Sequence, residues 1–116
     1  MQDFTSVIES LGTVTTISEL NKSYYAAIII VRQMQAQGMW DGIADADQLC
    51  KDINHITNYN IVRVARLAYD KYIASGKSDS SCQRDILLCY DSIKEHEDNA
   101  VEIDILSCLC EDITTL

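Results

Sequence analysis

The sequence predicts an all-α protein, a compact bundle of about six helices arranged as three helical pairs. Three observations carry this. The 116 residues contain no proline, and the four glycines, Gly12, Gly38, Gly42 and Gly76, all fall between stretches of helical periodicity. Apolar residues recur at i, i+3, i+4 and i+7 within those stretches. Residues suited to cap helices stand at their starts. With 47% hydrophobic and 23% charged residues, the composition is that of one globular domain spanning 1–116, large enough to hide roughly two-thirds of its unfolded surface without disulfide or metal staples.

The first helix follows from Phe4, Val7, Ile8 and Leu11, and should stop at Gly12. Thr16-x-x-Glu19 is a capping-box pattern that opens a long second helix, with Ile17, Tyr24, Ile28, Val31 and Gln35 on one side and Gly38 at its end. The run Ile28-Ile29-Ile30-Val31 has strand propensity, but helical signals flank it and no second strand is present to pair with it. Asp45 can cap a third helix bearing Leu49, Ile53 and Ile56, ending near the polar Thr57-Asn58-Tyr59-Asn60. Asn58 or Asn60 then caps a fourth, with Ile61, Val64, Ala65, Ala68 and Tyr72 on one face and Gly76 as its stop. Asp79 and its serine neighbours lead into a fifth, whose core face is Cys82, Ile86, Cys89 and Ile93. Asn99-x-x-Glu102 forms a capping-box pattern for a sixth that runs to about Thr114.

The second and sixth helices are apolar most of the way round, which places them at the heart of the bundle. Alternatively, one of their apolar sides forms a homodimer interface, because a small domain cannot easily surround two helices. Gly38 and Gly76 divide the chain into near-equal thirds, the spacing of a helical repeat, although residue identity between the thirds is no better than chance.

Charge is strongly segregated. Eighteen acids against nine bases give a net charge of −9. Residues 1–50 carry six acids and two bases, residues 51–78 two acids and five bases, and residues 79–116 ten acids and two bases. Such a field repels nucleic-acid phosphates and anionic lipid, so direct nucleic-acid or membrane binding is disfavoured, and it steers basic proteins inward. The alternative is that this charge only keeps a small cytosolic protein soluble.

Five cysteines, Cys50, Cys82, Cys89, Cys108 and Cys110, are an odd number without a CxxC, unlike a secreted disulfide framework. They read as free thiols buried in a reducing compartment. Met1-Gln2-Asp3-Phe4 lacks a positive n-region, and the longest apolar run, Tyr24 to Val31, is far short of the roughly 20 residues a bilayer span needs. The expected location is the cytoplasm.

No cofactor, metal or catalytic site is expected. Cys82, Cys89 and His96 lie seven apart, hence about 10.5 Å between neighbours along a helix, too far for any two to share a zinc ion with bonds of about 2.0–2.3 Å. Cys108 and Cys110 point to nearly opposite sides of a helix. His55 and His96 have no HExxH, ExxH or cysteine-protease setting. Asp41, Asp45 and Asp47 around Gly42 depart from the order of an EF-hand loop. No phosphate-cradling glycine motif is present.

What remains is a surface. Asp91, Glu95 and Asp98, spaced i, i+4, i+7 opposite the core stripe of the fifth helix and continued by Glu97 and Glu102, form an acidic ridge suited to docking onto lysines and arginines. Trp40, between Gly38 and Gly42, is either an interface anchor or a plug over the core. Arg63, Arg66 and Lys71 can pair with the acidic third internally or in a second subunit. The expectation is an acidic, non-enzymatic cytosolic binding protein with a basic protein partner: an immunity protein that occludes the active site of a nuclease-like bacterial toxin. The alternatives are a phage anti-defence protein of the anti-CRISPR kind, mimicking nucleic acid, and a small helical enzyme or cofactor-binding domain built around His55, His96 and the cysteines.

Overall fold

The computed structural model describes residues 4–38, 43–96 and 98–114. They form five α-helices: α1 (Phe4–Thr13), α2 (Ile17–Ala36), α3 (Ile43–Ala74), α4 (Ser80–Lys94) and α5 (Ala100–Thr114). The all-α expectation holds, with one helix fewer because the expected third and fourth helices are a single 32-residue helix, α3. The polar run at 57–60 does not cap. Thr57 Oγ1 donates back to the carbonyl of Ile53 (2.7 Å) and Asn60 Nδ2 to that of Ile56 (2.8 Å), so both side chains bond within the helix instead of terminating it. With neither glycine nor proline there, the hydrogen-bond ladder runs through. The scheme of three helical pairs, and the repeat with it, therefore fails at its middle third.

At about 1.5 Å per residue α3 is about 48 Å long, close to the 54 Å long axis of a slab measuring 54 × 28 × 14 Å. The 14 Å dimension allows two helix layers at the usual 8–10 Å axial spacing. All four other helices pack on α3, with α1 also against α2, α4 against α5, and α2 against α4. The buried set of α3 runs from Ala46 through Ile53, Ile61, Val64 and Ala65 to Tyr72. It meets Val7 and Leu11 of α1, Leu20, Ala27 and Val31 of α2, the predicted stripe of Cys82, Ile86, Cys89 and Ile93 on α4, and Leu106 and Ile113 of α5. Each of the larger aliphatic side chains contributes about 1.5–3 kcal/mol by leaving water.

The central helix is thus α3, not the expected pair. α2 and α5 lie in outer positions, and each buries one side only. Tyr25 and Ile29 of α2 are 57% and 56% exposed, and Val101 of α5 is 69% exposed. A slab this thin has no layer left to cover the second apolar side of either helix.

The turns follow local chemistry. Thr16 caps α2 by accepting from the Glu19 N–H (3.2 Å), as the capping box predicts. α1 runs one residue past Gly12. Gly76 (φ +74°) and Lys77 (φ +63°) end α3 in the left-handed region, the Lys77 N–H returning to the carbonyl of Tyr72 in a Schellman-type closure. Asp79 then caps α4, accepting from the Ser81 and Cys82 N–H groups. Asn99 stands just before α5 as expected, but its Nδ2 points backward, donating to the carbonyls of Ile93 (2.7 Å) and His96 (3.0 Å) and so closing α4.

Candidate interaction surface

The described part of the ten-acid segment forms the α4–α5 hairpin, whose two helices pack on each other and on α3. Because the core stripe turns inward, the charged positions turn out: Asp85, Asp91, Glu95, Asp98, Asp104, Glu111 and Asp112 are all exposed. Glu102 is half-buried in the first turn of α5, where a carboxylate is favoured by the helix dipole. Charge segregation along the chain is thereby kept in space.

The ridge itself differs from the expected straight row. α4 ends at Lys94, so Asp91 is the one member on its helical face, 3.4 Å from Lys94. Glu95 is the C-terminal cap residue, its N–H returning to the carbonyl of Ser92, and Asp98 sits in the left-handed region at φ +51°. That corner turns Glu95 and Asp98 toward α2 and α3. They form one wall of a groove of about 420 Å³ whose other sides are Tyr24, Ile28 and Arg32 of α2 and Asp47, Cys50, Lys51 and Asn54 of α3. Glu97 and Trp40 lie outside the described residues.

Within the groove Arg32 Nη1 donates to Asp47 (3.0 Å) and Gln35 (2.9 Å). His55 Nε2 lies 4.0 Å from the Asp98 carboxylate. Just behind, the His96 ring packs on Tyr24 at 4.7 Å between centroids, tilted by 41°. Half-buried there, with Nδ1 out of reach of any hydrogen-bonding group among the described residues, the imidazole is held below its ordinary pKa by desolvation. No residue pattern announces this packing, because it depends on α4 ending two residues before His96.

The basic stretch is divided among different tasks. Arg63 is half-buried and serves α1: its Nη2 donates to the carbonyls of Val14 (2.6 Å) and Leu11 (3.4 Å), while Nε donates to Asn60. Arg66 borders a second groove, of about 220 Å³, with Tyr59, Val62, Arg63, Leu67 and Asp70. Lys71 shares a small crevice with Asp85 of the acidic hairpin.

All five cysteines are free thiols. The expectation that they are buried holds for Cys82 and Cys89, whereas Cys50 and Cys110 are half-buried and Cys108 is exposed. Among the described residues no group of three or more histidine, cysteine or carboxylate side chains is placed to hold a metal ion, and no helix is long and apolar enough to cross a membrane. No family model matches the sequence, and comparisons with curated proteins and with solved structures find no match.

Proposed function

We propose that this protein is an acidic binding protein that docks its α4–α5 hairpin onto a basic protein, and that it acts as an inhibitor, in the manner of an immunity protein occluding the cleft of a nuclease-like toxin. The observation that supports this reading is the gathering of acidic residues into one hairpin on which Asp85, Asp91, Glu95, Asp98, Asp104, Glu111 and Asp112 face solvent. Opposing charge of this density raises encounter rates with a basic surface and makes them fall with salt. A cleft that grips phosphate is such a surface, and a protein that covers it needs no bond-making chemistry of its own.

The test is affinity capture from cells of the source with wild type and with the triple charge reversal Asp91→Lys, Glu95→Lys, Asp98→Lys. Association rates of the captured protein are then measured across ionic strength. A basic nuclease that wild type binds and inhibits is expected, with the reversal slowing association and flattening its salt dependence. An on-rate unchanged by the reversal at every salt concentration removes the hairpin from the reading.

A further inference from the structure

We infer that the groove between α2, α3 and the α4–α5 corner receives one arginine side chain of the partner protein, an inference that rests on the reading above and gives it a contact point. The groove volume of about 420 Å³ lies at the small end of the range for ligand sites, enough for one long side chain. Its walls differ in chemistry. Tyr24 and Ile28 of α2 offer an aromatic and an aliphatic surface suited to the methylene stem of a long cationic residue. The exposed Glu95 and Asp98 of the corner add two carboxylates to the lining, with His55 Nε2 of α3 4.0 Å from Asp98.

The lining carries three carboxylates, Asp47, Glu95 and Asp98, against two cations, Arg32 and Lys51. Arg32 is already answered by Asp47 and Gln35, so this pair adds little net field. Lys51 of α3, one helical turn from His55, is the remaining cation of the lining and opposes an incoming guanidinium. Arginine fits better than lysine, because a planar guanidinium offers five donors to two carboxylates and can lie flat on an aromatic ring, whereas an ammonium is a strongly hydrated point charge.

The probe is Nα-acetyl-arginine amide, titrated into isotopically labelled protein and followed by backbone amide shifts, with the citrulline analogue as neutral isostere and Nα-acetyl-lysine amide as the second cation. Saturable shifts are expected at Tyr24, Ile28, Cys50 and Asn54, on the order of tenfold weaker for citrulline and for the double variant Glu95→Gln, Asp98→Asn, as loss of charge-assisted hydrogen bonds requires. Lys51→Met should tighten the arginine probe by about threefold, the scale of one screened like-charge contact. Unchanged amide dispersion in each variant serves as the folding control. Absence of saturable shifts, an equal response to citrulline, indifference to the double variant, or lysine binding as tightly as arginine each overturns the inference. The hairpin reading fails separately: if the captured partner binds the Glu95→Gln, Asp98→Asn variant as wild type but not the triple reversal, the groove is excluded while the hairpin stands.

Discussion

Arg63 Nη2 lies 2.6 Å from the main-chain carbonyl oxygen of Val14, so a side chain from the middle of α3 closes the C-terminal end of α1. The last carbonyls of a helix lack intrahelical partners and carry the negative end of its dipole. A guanidinium answers both needs. This is why the most basic stretch of the chain does not present all its charge to solvent.

Arg63→Met should therefore destabilise the protein by about 1–3 kcal/mol, the range for hydrogen bonds to a charged group. Amide exchange should accelerate in α1 more than in α4 or α5. Arg63→Lys should recover part of the loss, since one ammonium cannot reproduce the fork. Urea unfolding midpoints and exchange by mass spectrometry check both.

Continuity of α3 gives a sharper contrast. Tyr59 is exposed, so Tyr59→Pro reads the backbone almost alone. In a continuous helix it should cost about 3 kcal/mol or more, whereas a helix beginning after Asn58 would accept proline at its first position. Thr57→Val, which loses only the back-bond to Ile53, should stay within about 1 kcal/mol of wild type. Chemical denaturation with far-UV circular dichroism distinguishes these outcomes.

Among the described residues, His96 and Asp79 each tie stability to acid pH. Desolvation holds the folded His96 below its unfolded pKa, so its contribution is complete above the ordinary imidazole value of about 6.5 and is lost as pH falls through the lowered folded value. Hydrogen bonds from Ser81 and then Cys82 hold the Asp79 carboxyl below its ordinary value. Its contribution is present above the unfolded carboxylate range and lost as pH falls through the lowered folded value. His96→Phe should flatten the upper limb of a stability–pH curve, and Asp79→Asn, which keeps a capping acceptor, should flatten the lower.

Thiol reactivity should follow exposure. Cys108 is exposed and should react first with a disulfide reagent. Burial pushes the Cys89 thiol up to about 12, so it should react only when the protein opens. All five thiols should titrate after unfolding without reductant, and fewer than five would reveal a disulfide. Timed labelling with mass spectrometry gives the order.

Much of the fold was legible in the sequence because helical punctuation is local. Thr16, Gly38, Gly76 and Asp79 each mark a boundary through chemistry confined to a few neighbours. The run at 57–60 misled because threonine and asparagine can either cap a helix or bond back into it, and tertiary burial of Thr57, Asn58 and Asn60 decides which. The segregation of acids was visible along the chain, but the groove was not. Its wall depends on α4 ending at Lys94 and on the left-handed turn at Asp98, neither of which any glycine or proline announces.

The length of α3 has a mechanical consequence. The α1–α2 pair and the α4–α5 pair meet mainly across this one helix, so the molecule behaves as a single beam with a lighter flange on each side. A break in the beam would leave the two flanges joined only by the smaller direct contact of α2 with α4, including the Asn21–Ser92 hydrogen bond and the packing of Tyr24 on His96.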